Sequence, residues 1–182
     1  MIVRNPLERH LSAFNNKLSS SLEYNSTSLF DQLKRSMWER YHPVKLKEWI
    51  SNGCKGKLRL DFATYLRWIT DTPNHRLNEH FAPTVYLAQP CRIRYNFYGN
   101  FKNYSSDIKA VIARLGAPQD WYRDQSSHTD GIETRDMMVP AYSRVRREVK
   151  ERLIKGISED LEFYYTLFPE EEGSHVDILG LN

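Results

Sequence analysis

Arg4 and Ser12, near the start of the chain, carry side chains of the types that bind phosphate. A guanidinium group can donate paired hydrogen bonds to a phosphate dianion, and a hydroxyl group can add one more. The two residues are close enough in the sequence for one turn to bring their side chains to the same point. They are therefore a candidate anion site. The alternative is structural: Arg4 pairs with a glutamate, and Ser12 caps its own helix.

A strand followed by a helix must position these side chains. The first three residues are apolar and predict the end of a strand, and the next residues predict a helix start. Asn5 is the expected N-cap, Pro6 occupies the first helical position, and Glu8 closes a capping box. Apolar residues then recur at helical spacing as far as Leu18. Because a helix N-terminus attracts negative charge, this arrangement also favours an anion.

The remaining pattern is that of a helix-rich chain. A second strand is predicted where apolar and polar residues alternate, over 92–98. Polar or irregular segments are predicted at 19–28, 51–57, 71–90 and 117–138, and helices at 28–41, 44–51, 61–69, 108–115, 141–155 and 157–168.

Strands followed by helices indicate an α/β fold with at least some parallel pairing. Only two strands are predicted, which is fewer than a parallel sheet needs. Two explanations stay open: part of the sheet precedes Met1, or the chain is a helix-dominated remnant.

The bulk composition excludes a disordered chain. Hydrophobic residues make up 40% and charged residues 27% of the 182 residues, which suits one globular domain with a real core. The net charge of +3 permits an anionic ligand, but it does not favour a nucleic-acid binder. No apolar run approaches the roughly 20 residues that span a bilayer, and a strand rather than a signal peptide follows Met1.

Four segments together resemble one enzyme family. Residues 4–17 (RNPLERHLSAFNNK) resemble the 3′-phosphate-binding element of sulfotransferases that use 3′-phosphoadenylyl sulfate (PAPS). Residues 77–81 (LNEHF), 89–99 (QPCRIRYNFYG) and 161–168 (LEFYYTLF) are similar to blocks of the HNK-1-type (family 2) carbohydrate sulfotransferases. The chondroitin and dermatan 4-O-sulfotransferases belong to that group. The blocks follow the family order and cover most of the chain.

The resemblance implies an activity and a site. The implied fold is the C-terminal part of a P-loop-like α/β domain, and the implied reaction moves sulfate from PAPS to a glycan hydroxyl of the chondroitin or dermatan type. Arg4 and Ser12 are then the residues that bind the 3′-phosphate of the donor, and no metal is needed. The implied partner is a glycan and not a nucleic acid. The full-length family form is anchored in the Golgi membrane and acts in the Golgi lumen.

One element of the family pattern has no match in the chain. The resemblance implies a basic loop, of the type P-K-x-G-x-[TS], that holds the 5′-phosphosulfate. The interpretation is that this loop precedes Met1, and that residues 1–182 are a single partial domain. Loss of the loop should remove most of the rate, because sulfuryl transfer depends on positioning and charge stabilisation. The alternative function is a catalytically silent member that binds only a 3′-phosphate or a glycan.

His80 is the histidine best suited to act as catalytic base. It follows Glu79 in a predicted loop, where an imidazole could take the proton of the acceptor hydroxyl. The alternative is that Asn78, Glu79 and His80 form a structural hydrogen-bonded knot. Related enzymes often place the base before the 3′-phosphate element.

The chain departs from the family pattern at three positions. Ala88 replaces a cysteine that should lie close to Cys91, which puts any family disulfide there in doubt. Phe81 stands in place of a tryptophan, and Asn96 in place of an aspartate. Cys54, the other cysteine of the chain, could pair with Cys91 in an oxidising compartment. The sequence also has glycosylation sequons at 25–27 and 103–105, compatible with a secretory lumen.

A basic stretch near the C-terminus has two interpretations. One is a groove for a sulfated or uronate-rich glycan, and the other is a solvated helix face laced with Glu148 and Glu151. Arg92 and Arg94, on one face of the predicted strand, could also meet an anionic sugar. The basic residues of the stretch are Arg144, Arg146, Arg147, Lys150, Arg152 and Lys155.

Overall fold

The computed structural model describes residues 1–122 and 134–181. Within these ranges the chain forms ten α-helices and two short strands. In chain order the elements are β1 (Ile2–Val3), α1 (Pro6–Lys17), α2 (Leu29–Tyr41), α3 (Pro43–Ser51), α4 (Phe62–Asp71), α5 (Thr84–Ala88), β2 (Gly99–Asn100), α6 (Tyr104–Arg114), α7 (Thr134–Ser143), α8 (Arg147–Gly156), α9 (Ser158–Leu167) and α10 (Ser174–Leu179).

The two strands pair in parallel. Ile2 lies opposite Gly99, and Val3 lies opposite Asn100. The carboxyl ends of parallel strands meet at the same edge of a sheet, and in open α/β sheets ligands bind at this edge. The residues that follow the strands are therefore neighbours. The helix-rich α/β architecture agrees with the fold class predicted from the sequence.

Helix α1 begins as the sequence predicts. The side-chain oxygen of Asn5 accepts hydrogen bonds from the backbone N–H groups of Leu7 at 3.0 Å and Glu8 at 3.4 Å. All four apolar positions of the predicted face are buried. The hydroxyl of Tyr142 on α7 donates to the carbonyl oxygen of Leu7 at 3.0 Å, which fixes α1 against the core. The same burial fixes the direction in which Ser12 projects.

The described helices share one hydrophobic core. Helix α1 packs against α4, α7 and α9, and α4 packs in turn against α2 and α8. The largest fully buried side chains include Tyr65, Tyr142 and Phe81. Trp38 and Trp68 are buried in this core, whereas Trp121 is 74% exposed. None of the helices in the described ranges is both long and apolar enough to cross a membrane.

The prediction of a strand over 92–98 is wrong. Turn hydrogen bonds run from the N–H groups of Arg92 and Ile93 to the carbonyl of Gln89, which has a left-handed backbone with φ of 46°. The strand begins at Gly99, where the prediction ended it, because only there does the backbone find a partner in β1. The segment 71–90, predicted to be irregular, also contains the short helix α5.

The prediction of a single helix over 141–155 is also wrong. Helix α7 ends at Ser143 and α8 begins at Arg147, with Val145 buried between them. The backbone N–H of Val145 bonds to the carbonyl of Tyr142 at 3.0 Å and closes a turn instead of continuing the helix. Helix α7 already begins at Thr134, inside the segment predicted to be a loop. Residues 123–133 of that segment lie outside the described residues.

Candidate functional site at the strand edge

Arg4 and Ser12 are brought together at the carboxyl edge of the sheet. Arg4 directly follows β1, and Ser12 lies on α1. The Nη1 atom of Arg4 donates a hydrogen bond to the Ser12 hydroxyl oxygen at 3.0 Å. Both residues are half-buried. The structure therefore places the two predicted anion ligands in direct contact, with α1 beginning beside them.

Glu8 occupies the other edge of the Arg4 guanidinium. Its Oε1 atom accepts hydrogen bonds from Nε of Arg4 at 3.0 Å and from Nη2 at 2.6 Å. The Glu8 side chain thus accepts hydrogen bonds from Arg4 and does not close the capping box that the sequence predicted. Asn5 still caps the helix. The arginine–glutamate pair of the structural alternative is present, and it coexists with the Arg4–Ser12 contact.

The hydrogen-bonding capacity of the pair is only partly used. The Ser12 oxygen accepts from Arg4 and, at 3.3 Å, from the side-chain amide of Asn16. A hydroxyl group that accepts two bonds still has its own hydrogen to donate. Nη1 and Nη2 of Arg4 each carry two hydrogens, and each nitrogen makes one bond in the described contacts. Donors from both residues thus remain for a ligand at this corner.

Phe101, which the sequence did not predict as a site residue, supports the arginine from the neighbouring strand. It directly follows β2, and the guanidinium carbon of Arg4 lies 4.4 Å from the centre of its ring. A cation over an aromatic face is attracted by the ring quadrupole. The signal that could have found Phe101 is its place after the second parallel strand, but the sequence ended that strand at Gly99.

His80 lies in a tight turn held by Asn78. The side-chain oxygen of Asn78 accepts from the backbone N–H of His80 at 3.0 Å, and its carbonyl accepts from Phe81 and Ala82 at 2.8 and 2.9 Å. The imidazole is half-buried and packs against the ring of Phe30, with centroids 5.6 Å apart. The Asn78 part of the predicted structural knot is thus present.

The structure does not bring His80 to the phosphate ligands. None of the hydrogen bonds, ion pairs or ring contacts among the described residues joins His80 to Arg4 or Ser12. Its catalytic role stays a prediction.

A buried ion pair ties the turn that carries the histidine to α1 and α9. Arg9 of α1 donates to the carbonyl oxygen of Ala82, and its Nη2 lies 3.8 Å from the carboxylate of Asp160 on α9. The same carboxylate accepts from the N–H groups of Thr84 and Val85, both at 2.8 Å. Burial raises the pKa of Asp160, although these N–H groups and Arg9 act in the opposite direction. The 78–85 segment is therefore anchored to the helix that carries Ser12.

Other predicted features are accessible on the surface. Asn25 and Asn103, the two sequon asparagines, are exposed. Cys54 and Cys91 are both free thiols in the structure. Arg92 and Arg94 are exposed, but they follow a turn and do not share a strand face.

Three clefts of the described surface lie away from Arg4 and Ser12. Three clefts of about 250, 390 and 560 Å³ lie elsewhere on the described surface, and neither Arg4 nor Ser12 lines any of the three. Within the described ranges, no group of three or more His, Cys, Asp or Glu residues is arranged so that it could hold a metal ion.

The sequence match to known proteins defines the class. Residues 1–166 match the model of the Sulfotransferase family, and the chain therefore belongs to that family, whose members are transferases. The match begins before Arg4 and includes the entire strand-edge site.

The curated relatives are carbohydrate sulfotransferases. The chain is 30% identical to carbohydrate sulfotransferase 14 of Danio rerio over 71% of its length and 35% of the relative. It is 30% identical to the Homo sapiens carbohydrate sulfotransferase 14 over 69% of its length and 33% of the relative. Carbohydrate sulfotransferase 9 of Homo sapiens is 25% identical over 91% of the chain and 35% of the relative. The chain thus spans about a third of these relatives. No solved structure matches it.

Proposed function

We propose that the chain takes part in the transfer of sulfate from PAPS to a glycan hydroxyl of the chondroitin or dermatan type. The observation that carries the proposal is the 3.0 Å contact between Arg4 and Ser12 at the carboxyl edge of the parallel strands. Membership of the family supports the same reaction class. The proposed location of the full-length, membrane-anchored protein is the Golgi lumen, where the exposed Asn25 and Asn103 would be accessible to glycosylation. Residues 1–182 would form a single partial domain.

The free donors at the site fit the 3′-phosphate of the nucleotide. A phosphate oxygen at this corner would accept from the remaining N–H groups of Arg4 and from the hydroxyl of Ser12. Charge-assisted bonds of this type are short and strong. The nearby start of α1 also favours a negatively charged group at this edge. Glu8 would remain on the opposite edge of the guanidinium and keep it oriented.

The donor supplies an activated sulfuryl group, and the residues of this chain act around it. Arg4 and Ser12 would bind the end of the nucleotide that does not react and thereby orient the reactive end. A base is needed to accept the proton of the acceptor hydroxyl as its oxygen bonds to sulfur and the anhydride S–O bond breaks. His80 is the candidate for that base in this chain, and the Arg9–Asp160 pair would hold its turn in place.

A binding-only function is the second candidate. None of the 182 residues matches the basic loop that holds the phosphosulfate in the family pattern. A chain with the 3′-phosphate ligands alone would bind the nucleotide, or a glycan, without transferring sulfate.

Nucleotide binding and sulfate transfer together separate these possibilities. We would measure binding of adenosine 3′,5′-bisphosphate by calorimetry, and transfer of labelled sulfate from PAPS to desulfated dermatan. We expect Arg4→Ala to weaken binding at least about tenfold, because it removes charge-assisted hydrogen bonds. The exposed Arg114 serves as the control, since Arg114→Ala removes the same charge elsewhere.

The outcomes differ for each candidate. Transfer by the full-length protein that depends on Arg4 supports the enzyme, and binding without transfer by the full-length protein supports the binding-only function. A folded wild-type chain that does not bind the bisphosphate would contradict the site. So would an Arg4→Ala variant that binds the bisphosphate as tightly as the wild-type chain.

His80 is tested by a separate substitution. His80→Ala should abolish most sulfate transfer and leave bisphosphate binding unchanged, because the imidazole makes no described contact with the phosphate ligands. His75→Ala, at an exposed histidine of the same region, is the matched control. Full transfer activity of His80→Ala would remove the proposed base.

A further inference from the structure

A basic cleft lies where α4 and α8 pack together. It has a volume of about 390 Å³ and is lined by four arginines. Arg67 comes from α4, Arg152 from α8, and Arg144 and Arg146 from the turn that separates α7 from α8. The break in the helix predicted over 141–155 creates this arrangement, since a continuous helix would spread these side chains around its axis.

The arginines outnumber the carboxylates of the cleft. Asp61 and Glu148 are the acidic lining residues among those described. Asp61 caps α4: it accepts from the backbone N–H of Thr64 at 2.7 Å and from the Thr64 hydroxyl at 3.1 Å. Glu148 lies in the first turn of α8, where the helix dipole favours it. Both carboxylates thus have a local role beside the arginines.

Two of the arginines are held by neighbouring side chains. Arg152 is hydrogen-bonded to Asp71 at the end of α4. Burial raises the pKa of Asp71, but hydrogen bonds from Tyr41 and Arg152 outweigh burial and lower it, so the carboxylate stays charged beside the arginine. The guanidinium carbon of Arg67 lies 4.8 Å from the centre of the Tyr41 ring. These contacts hold both guanidinium groups near the cleft, although the two residues are exposed.

The other two arginines have no such partner. Within the described residues, the guanidinium groups of Arg144 and Arg146 make neither a hydrogen bond nor an ion pair, and both residues are exposed. By contrast, Arg147, which lies outside the cleft, donates a hydrogen bond to Glu151 at 2.8 Å. Lys150 is buried, and its amine donates a hydrogen bond to the carbonyl oxygen of Leu179. Arg147 and its partner Glu151 thus fit the solvated-face interpretation of the basic stretch, whereas Arg144 and Arg146 lie between the helices, in the turn that lines the cleft.

We propose that this cleft is a second anion site, separate from Arg4 and Ser12, which binds sulfate or carboxylate groups of an extended glycan. Planar guanidinium groups match the paired oxygens of both anions. The assignment of the ligand as a glycan rests on the proposed function, whereas the anion preference rests on the four arginines. Arg4 and Ser12 do not line the cleft, and it therefore serves to hold the acceptor chain, not to hold the nucleotide.

The lining argues against nucleic acid as the ligand. Single-stranded nucleic acids need aromatic platforms on which bases stack. No Trp, Tyr or Phe is among the cleft residues described. The nearby Tyr41 ring is covered by Arg67, and His42, which does line the cleft, packs on Trp38 and bonds through Nε2 to the Thr64 hydroxyl.

Binding of a labelled oligosaccharide tests the cleft without any nucleotide. The probe is a fluorescent chondroitin sulfate hexasaccharide, and affinity is measured by anisotropy at low and at physiological salt. We expect the double variant Arg144→Gln/Arg146→Gln to bind at least about tenfold more weakly than the wild-type chain, because it removes two guanidinium–anion contacts. The loss should be smaller at high salt, where the exposed charges are screened.

A matched control removes the same charge from the same helix region. Arg147→Gln/Lys155→Gln replaces two exposed basic residues that do not line the cleft, and its affinity should stay within about twofold of wild type. Equal losses in both double variants would mean that only net charge matters and would overturn the proposal. So would unchanged binding by Arg144→Gln/Arg146→Gln.

Two further measurements separate the possible failures. A single-stranded DNA of the same charge should bind at least about tenfold more weakly than the hexasaccharide, and equal affinity would overturn the glycan assignment. If the chain does not bind the bisphosphate but the cleft variants lose hexasaccharide affinity as expected, only the proposed transfer function is contradicted. If the cleft variants keep wild-type hexasaccharide affinity while Arg4→Ala weakens bisphosphate binding, only the proposed second site is contradicted.

Discussion

Arg4 donates a 3.0 Å hydrogen bond to Ser12, and this bond joins the residue after a strand to the second turn of the following helix. The geometry depends on the sharp turn at Asn5, whose side chain caps α1. The Ser12 oxygen is an acceptor in this bond, and its own hydrogen stays available for an anion. A single turn thus supplies two donor groups of different chemistry at one corner of the sheet.

Ser12→Ala should weaken binding of adenosine 3′,5′-bisphosphate by about tenfold. The change removes the hydroxyl donor and the acceptor that orients Nη1 of Arg4, and a hydrogen bond to a charged group contributes about 1.5–3 kcal/mol. Calorimetric titration measures the loss. Ser36→Ala is the control, because Ser36 is exposed on α2 and bonds only to the carbonyl of Leu33 in the described contacts. Unchanged affinity of Ser12→Ala would contradict a role of this hydroxyl in phosphate binding.

Glu8→Gln should bind the bisphosphate several-fold more tightly at low salt. The Glu8 oxygen lies 2.6 Å from Nη2 of Arg4, so its negative charge opposes an incoming phosphate. A glutamine keeps an oxygen acceptor for Arg4 and removes that charge. Calorimetry at low and high salt would measure the gain, which should shrink as salt screens the charges. Glu39→Gln, at an exposed position on α2, should have no effect.

A weaker affinity for Glu8→Gln would have a different meaning. It would show that the carboxylate is needed to hold the guanidinium, and that its orienting role outweighs its charge.

Gly99→Ala should destabilise the chain by about 1–3 kcal/mol, because overpacking forces neighbours to move. A β-carbon at this position would lie 2.6 Å from the Ile2 side chain of the paired strand and 2.6 Å from a carboxylate oxygen of Asp107. That carboxylate accepts from the backbone N–H of Asn100 at 2.8 Å, so it cannot move without loss. Urea unfolding measures the change. Gly156→Ala should be neutral or slightly stabilising, because a β-carbon there would meet no atom within 4 Å.

His10 should make the chain less stable as the pH falls below 6.5. Burial, together with the charge of Arg9, lowers the pKa of His10 to about 3, and its Nδ1 lies 2.9 Å from the Tyr65 hydroxyl. Between pH 6.5 and about 3 the unfolded chain binds a proton at this histidine and the folded chain does not. Stability therefore rises with pH across this window, by about 1.4 kcal/mol per pH unit from this group.

Urea unfolding at pH 7.5, 6.0 and 5.0 measures that slope. The range stops at pH 5.0 because carboxylates contribute at lower pH. His10→Gln should remove most of the slope between pH 6.5 and 5.0, whereas His75→Gln, at an exposed position, should leave it unchanged. A wild-type chain whose stability is constant over this range would contradict the buried, neutral state of His10.

Local features of the chain were predictable from the sequence. The Asn5 cap, the first-turn Pro6 and the buried face of α1 depend on interactions within a few residues, which recur wherever the same residues occur in that order. The contact of Arg4 with Ser12 follows from the same turn. The family was also predictable, because the four sequence blocks keep their order.

Features that join distant segments were not predictable. Phe101 reaches Arg4 only because Gly99 pairs with Ile2, and a pattern of alternating residues does not say where a strand finds its partner. The Arg9–Asp160 pair likewise joins helices far apart in the sequence.

The sequence by itself predicted the capped helix and the turn that can bring Arg4 and Ser12 together, and it identified the family. Tertiary structure alone decided that Phe101 reaches Arg4, that the helix predicted over 141–155 breaks, and that Arg144 and Arg146 at the break meet arginines of α4 and α8 around one cleft. The physical reason is the range of the interactions: caps and helical periodicity act within one or two turns, whereas burial of a residue such as Val145 depends on every element that packs around it.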